Sequence, residues 1–455
     1  MSSKDLAGHL FRLRNIGLLF LSKAGGVLVG IVFLPLFNRL LGSESFGVVA
    51  VILSLQAFLV MLDLGMSTLV GRDVAAHDNN TVLNPTRIWL NAEELLTVFY
   101  VVIGAASVGW FFVFGTNHLS LFSVLSAVLL FWSLVLQNTV QAVLLSTASY
   151  MSSALLQIIG VLVRAALTAL ALMYLSPTIE MFLGVQAIVS ILHLLACRVR
   201  CKQVVRDRGW SLARTFELEN YRKLLNRSLP LVLFGIAGAA VMQLDKPLLS
   251  YFMTAADVAP YYLAGAFCMT PIIVLAGPLA QYFQPLIVGG VARRDHKYTH
   301  RMVGLFSASL IIMTVFPTLF LWLLRGPIIE FWLRDQKLLD IVVGYSAVLL
   351  PGVAIGAMGY IPYSLLVSKQ DFRFQAGASA VLTFVTLVLV GIFAEAKNVF
   401  AICWVYTAYH VASSIMSFAR ALYLDGISVY ARQAMLYCLA GASLLLAVCG
   451  IRLLN

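Results

Sequence analysis

Asp245, Lys246 and Pro247 stand consecutively inside the apolar stretch 228–252. A charge at mid-bilayer costs roughly 2.5–3.5 kcal/mol on insertion scales, so one kept there faces a protein interior or a water-filled space. Neighbours at i and i+1 point about 100° apart on a helix, which predicts that Asp245 and Lys246 do not simply neutralise one another. Pro247 removes a backbone donor and releases the carbonyl of Gln243, adding an acceptor at the same place. Two readings follow: an ion pair to another span, or a site for substrate (Lys246) and coupling ion (Asp245).

Three further charges lie in apolar stretches. Lys23 sits beside Gly25, Gly26 and Gly30, roughly 10 Å in at about 1.5 Å per residue, where it either snorkels to the interface or serves a site. Arg164 is in the middle of 152–175, where snorkelling is hardest; it lines a cavity or pairs with an acid such as Asp63. On a continuous helix Asp63 shares a face with Gln56 and Ser67, and it is read as a proton site or as the counter-ion of a cation. Ser133, Gln137 and Gln141 line one helix face, with Asn138 beside them. Trp404, Tyr406, Tyr409 and His410 precede Ser413, Ser414 and Ser417. Aromatic and amide groups suit a sugar, whose ring faces stack and whose hydroxyls need partners; polar glue between helices is the competing account. His193, Cys197 and Cys201 recur every four residues, as metal ligands or as small residues at a membrane edge. No metal or cofactor is expected. The sequence has no P-loop, H-E-x-x-H, C-x-x-C or G-x-S-x-G motif, so neither ATP nor hydrolytic chemistry is indicated and the chain is not read as an enzyme.

The elements that must position these residues are membrane spans. Of 455 residues, 61% are hydrophobic and 11% charged, against roughly 25% charged in soluble domains. Apolar runs long enough to cross about 30 Å of hydrocarbon recur without the two-residue alternation of a barrel. The reading is an all-α polytopic membrane protein with thirteen spans, near 16–41, 46–70, 88–115, 119–147, 152–175, 177–197, 228–252, 259–287, 302–325, 338–367, 374–395, 398–422 and 432–452. The net charge of +11 belongs to span ends that meet lipid headgroups, not to nucleic acid. With the N-terminus inside, 22 basic residues fall on inner segments and 6 on outer ones, which orients it to the cytoplasm. No cleavable signal peptide is expected, because 16–41 is too long for a signal core.

The longest polar interruption, Arg198–Arg227, carries nine basic residues. It divides the chain into an N-lobe of six spans (1–197), the loop itself (198–227), a C-lobe of six spans (228–422) and an extra C-terminal span (423–455). Leu218, Tyr221 and Leu225 predict a short surface helix in the loop, after which Ser228 is placed to cap span seven. At an offset of 212 residues Pro35-Leu36 falls on Pro247-Leu248, and the polar turn 42–46 on 254–258. With an even number of spans per half, that trace predicts a parallel duplication. Pro271, Pro278 and Pro285 in span eight, and Pro351, Gly352, Gly356, Gly359 and Pro362 in span ten, predict broken helices suited to rocking motion.

Several short motifs in order resemble the multidrug/oligosaccharidyl-lipid/polysaccharide (MOP) flippase superfamily, most closely its Wzx-like polysaccharide flippases. They are Pro35 with Arg39-Leu-Leu-Gly-Ser-Glu-Ser-Phe-Gly47, Leu62-Asp-Leu-Gly65, Arg72-Asp-Val-Ala75, Ser228-Leu-Pro-Leu231, Asp245-Lys246 and Tyr261-Tyr-Leu-Ala264. The resemblance runs through both halves, roughly 10–422. It implies two six-helix lobes around a central cationic cavity, and flipping of undecaprenyl-pyrophosphate-linked oligosaccharide across the bacterial inner membrane. It makes Lys23, Arg164 and Lys246 candidates for the pyrophosphate or acidic sugars. The implied partners are that lipid-linked sugar, H+ or Na+, membrane lipids, and the polymerase and chain-length proteins of the pathway. The thirteenth span departs from the common twelve-span plan.

Overall fold

The computed structural model describes residues 29–61, 63–75, 85–115, 119–147, 149–211 and 218–453. Among them the chain is helical: a widened π-type turn at Val29–Phe33 leads into α1 (Leu34–Met61), then α2 (Met66–Ala75), α3 (Pro85–Phe114), α4 (Leu121–Ser146), α5 (Tyr150–Tyr174) and α6 (Ile179–Asp207). There follow α7 (Leu218–Gln243), α8 (Asp245–Phe252), α9 (Ala255–Ala292), α10 (His296–Leu323), α11 (Arg325–Leu333), α12 (Gln336–Met358), α13 (Tyr360–Ser368), α14 (Phe372–Glu395), α15 (Val399–Tyr423) and α16 (Ser428–Leu453). Among the described residues eleven stretches are long and apolar enough to cross a membrane; one of them, Val29–Val74, takes in α1 and nearly all of α2. The expected seventh span is not among the eleven. Bulky apolar side chains lie exposed along these helices, such as Val98, Val101 and Phe112 on α3 and Ile188, Leu192 and Val199 on α6. Such surface is stable against lipid, and the protein is a multi-pass membrane protein.

The chain forms two compact units. Unit 1 holds Leu36–Pro247 (with Met1–Val29), and unit 2 holds Gly30–Pro35 and Leu248–Asn455. Two of the three changes of unit therefore fall at the repeated Pro-Leu steps, and the third at Val29/Gly30. Within unit 1, α4 is the hub, packed by α2, α3, α5 and α6. Within unit 2 its counterpart α12 is packed by α9, α10, α11, α15 and α16. Each hub is the fourth span of its half. The 212-residue offset also matches burial: Phe37 and Leu249 are buried, as are Phe46 and Val258. The aligned turns are both helix breaks. Gly42 takes φ 77° inside α1, and Thr254 starts α9 with a capping box closed by Asp257, whose Oδ2 accepts from Thr254 Oγ1 at 2.6 Å.

Two local expectations change. The basic stretch is mostly helix: α6 runs on to Asp207 and α7 begins at Leu218. Ser228 does not cap a new helix. It lies inside α7, and its hydroxyl donates back to the Leu225 carbonyl at 3.0 Å, so the surface segment and span seven are one continuous helix. The thirteenth span is α16, and it is core material in unit 2. Tyr430, Ala431, Ala434, Cys438 and Leu445 are buried in the cluster with Phe306, Leu310 and Met358. His296 Nδ1 and the Tyr430 hydroxyl are 2.8 Å apart.

At two prolines of unit 2 a tryptophan supplies the missing donor. Pro351 has no N–H to give the Ala347 carbonyl one turn back; Trp322 Nε1, fully buried, donates to that oxygen at 2.9 Å. Pro35 likewise leaves the Ile31 carbonyl without its helical donor, and Trp332 Nε1 supplies one at 2.5 Å. Trp322→Phe should therefore cost about 1–3 kcal/mol, the penalty of a buried unsatisfied acceptor. In a Pro351→Ala background, where the backbone can donate again, the cost should shrink. Thermal unfolding in detergent measures the cycle, and an equal cost in both backgrounds would refute the pairing.

Candidate functional site

Asp245 and Lys246 do neutralise one another. Lys246 Nζ lies 2.9 Å from Asp245 Oδ1, with side-chain exposures of 11% and 0%. The i, i+1 argument fails because the helix is not continuous. α7 ends at Gln243 and α8 starts at Asp245, with Pro247 in the first turn of α8, where a missing N–H costs nothing. The break turns the two side chains toward each other, and Lys246 Nζ also donates to the Met242 carbonyl at 3.1 Å. The arrangement is a compensated charge pair at a helix junction. A ligand anion competing for Lys246, or a proton or sodium ion arriving at Asp245, would uncouple it.

Asp63 stands at another break. α1 stops at Met61 and α2 starts at Met66, with Leu64 and Gly65 at φ 54° and 68°. The carboxylate accepts from Gly65 N at 3.0 Å and Ser67 N at 3.2 Å, and from the Ser67 hydroxyl. It thus closes the turn that starts α2. Gln56 and Ser67 are consequently on different helices, and the single polar face expected of 46–70 does not form. Gly65 was the legible signal, since it takes the left-handed conformation without a Cβ penalty.

The amides of α4 face neighbouring helices. Gln137 Nε2 donates to the Ser190 carbonyl and hydroxyl at 2.9 and 3.0 Å, and Ser133 Oγ meets Ser190 Oγ at 2.8 Å. Gln141 Oε1 accepts from the Ser153 hydroxyl, and Asn138 Nδ2 reaches the Val60 carbonyl near the end of α1 at 3.3 Å. The polar stripe joins α4 to α6, α5 and α1. On α5, Arg164 lies part-exposed. Among the described residues no carboxylate comes within ion-pair distance of it, Asp63 included.

Tyr409 and His410 belong to unit 2, on α15. His410 is 7% exposed, with its ring pressed on Gly356 of α12, where an added Cβ would meet Nδ1 at 2.4 Å. Gly352 receives Thr407 and Gly359 receives Ser414 in the same way. Thr407 and Ser414 donate to the Val348 and Ile355 carbonyls at 2.8 and 3.0 Å. The glycines expected to loosen span ten thus admit a polar seam along α15. Tyr409 is edge-on to His410 at 5.4 Å, and His410 Nε2 is buried without a hydrogen bond. Lys23 lies outside the described residues. Among those described, no three His, Cys, Asp or Glu side chains are grouped to hold a metal ion.

Sequence reading missed the acids of α3. Glu93 is buried and takes a two-pronged bond from Arg198, at 3.2 Å from Nε and 2.5 Å from Nη2. Trp89 Nε1 adds a third at 3.0 Å. Glu94 accepts from Tyr221, and Asp73 binds Arg227 at 2.7 Å. The basic stretch is therefore stapled to α2 and α3. Trp89 and Glu93 at i, i+4 in an apolar run were the available signal.

A family model described as "Polysaccharide biosynthesis protein" matches residues 12–288, more than half the chain. No curated protein matches the sequence. A solved structure described as "Lipid II flippase MurJ, inward closed conformation" superposes with a TM-score of 0.71 at 11% identity, covering 97% of this chain and 100% of that one. An inward-facing multidrug resistance MATE family transporter of the MOP superfamily gives 0.70 at 12%, covering 91% and 95%. A MOP superfamily transporter from Pyrococcus furiosus, described as having a binding pocket of reverse polarity, gives 0.62 at 11%, covering 95% of each chain. At these identities the likeness carries the fold: it is that of MOP transporters.

Removing Glu93 would leave Arg198 charged in its pocket. Glu93→Ala should destabilise by about 3 kcal/mol, the low end for buried pairs because Arg198 is partly exposed. Glu93→Leu combined with Arg198→Met should recover most of that loss. Melting in detergent tests this, and a double variant no better than the single one would count against it.

Proposed function

Because the chain belongs to the polysaccharide biosynthesis protein family, we propose that it is a flippase carrying undecaprenyl-pyrophosphate-linked oligosaccharide across the bacterial inner membrane by alternating access. The observation that carries the reading is the buried Asp245–Lys246 pair at a broken span of a MOP transporter fold. Pyrophosphate and sugar cannot cross hydrocarbon unaided, and cations at depth replace their hydration and counter-ions. In this reading the cargo anion draws Lys246 away from Asp245, and H+ or Na+ at Asp245 compensates the carboxylate so released. The membrane potential, worth about 2.3 kcal/mol per charge per 100 mV, can then drive the cycle.

Extrusion of organic cations fits less well. It needs a carboxylate open to the drug, whereas Asp63 is engaged by its own turn and Asp245 by Lys246. The bias of basic residues supports a cytoplasmic N-terminus, in which case the basic ends of α6 and α7 meet the inner leaflet. Polymerase and chain-length proteins of the same pathway are the partners that would take up the product.

Lys246→Ala should abolish export of the polysaccharide at unchanged protein level and cause lipid-linked sugar to accumulate, read by mass analysis of extracted lipids. Undiminished export would overturn the assignment. The six native cysteines are buried, so introduced thiols report topology cleanly. A cysteine at Arg334 should label in intact cells, and one at Lys202 only after permeabilisation; the opposite pattern would invert the orientation.

A further inference from the structure

The C-terminal span α16 pairs with α10 in unit 2. His296 Nδ1 meets the Tyr430 hydroxyl at 2.8 Å, and Gln433 Nε2 donates to the His300 carbonyl at 3.3 Å. A Cβ added to Gly304 would meet Gln433, and one added to Gly441 would meet Ile311 and Val315. Residue numbers rise together along both helices, so the two run parallel and start at the same end.

Successive side chains on a helix turn by about 100° in one sense. On parallel partners, the residue after a contact on one helix and the residue before a contact on the other therefore point to the same side of the seam. Arg301 follows His300, and Arg432 precedes Gln433. Lys297 stands one turn before Arg301 on the same stripe, about 6 Å away. All three are exposed, and among the described residues no carboxylate lies within ion-pair distance of any of them. Further along the two stripes the cations give way to exposed leucines. Leu305 comes four residues after Arg301, and Leu436 and Leu439 come four and seven after Arg432. This side of the seam is charged at its mouth and apolar beyond it. Topology alone puts cations at span ends; it does not gather them from two helices above one apolar strip.

We propose that this face of the α10–α16 seam binds an anionic phospholipid, with Lys297, Arg301 and Arg432 on the headgroup phosphate and Leu305, Leu436 and Leu439 along an acyl chain. Basic pockets between spans recognise such headgroups, and the two arginines present forks of donors to a phosphate. The bound lipid bridges α16 to α10 and so helps to hold the last span in unit 2. The site depends on neither the cargo nor the direction of transport.

The test is native mass spectrometry of the full-length protein in detergent, titrated with phosphatidylglycerol, phosphatidylcholine and glycerol 3-phosphate. Phosphatidylglycerol should bind more tightly than phosphatidylcholine with the same chains. Each cation should contribute about fivefold, so Lys297→Gln, Arg301→Gln and Arg432→Gln together should weaken phosphatidylglycerol about a hundredfold and leave phosphatidylcholine unchanged. The charge-keeping triple Lys297→Arg, Arg301→Lys and Arg432→Lys should retain the preference. So should a control that removes three exposed cations elsewhere, Lys202→Gln, Arg206→Gln and Arg373→Gln. Undiminished preference in the glutamine triple, or an equal loss in the control, would overturn the site. Glycerol 3-phosphate binding as tightly as the lipid would assign the cations to a free phosphate and remove the lipid. Where the glutamine triple also melts lower in phosphatidylcholine, the single substitutions decide: a loss of about fivefold in each supports the site, and three wild-type affinities refute it.

Discussion

Hydrocarbon offers no hydrogen bonds, and every polar group that a span carries must find its partner within the protein. That constraint accounts for most of the specific contacts. Where Pro351 and Pro35 free a carbonyl, a tryptophan indole fills it. Where α1 ends, Asn138 reaches the Val60 carbonyl, and Ser146 donates to the Gly71 carbonyl at 2.7 Å. The hydroxyls of α15 donate to carbonyls of α12. Polar side chains in the spans are largely the means by which bent helices are held together.

The same constraint sorts the charges. Glu93 is held by Arg198 and Trp89, and Asp63 by its own turn. Asp245 and Lys246 hold each other. The last pair, like Asp63, stands at a helix break. Arg164 is distinguished by having no partner of opposite charge among the described residues.

Much was legible in advance. The all-α membrane plan, most of the spans and the MOP likeness follow from apolar run length and motif order. The details of the site were not. A straight helix would hold Asp245 and Lys246 apart, and the break just before Pro247 is what brings them together. Gln137 and Gln141 read equally as sugar ligands or as glue, because an amide on a helix face gives no sign of what lies opposite. His193 was noticed for its spacing to Cys197 and Cys201, whereas Gly160, thirty-three positions earlier, is what positions it.

By itself the sequence determined class, the placement of most spans and the charge asymmetry, because each is a property of composition along one dimension. Hydrophobic length and helix-breaking residues act locally, so they can be read without neighbours. Only the tertiary structure decided which charges are compensated, which polar side chains are structural, and that α16 is part of the core of unit 2. Those outcomes depend on the direction of each Cα–Cβ bond and on where a missing Cβ lets two helices approach. Lys246 and Arg164 look alike in the chain. One ends up beside a carboxylate because the helix breaks there, and the other has no carboxylate within ion-pair distance among the described residues.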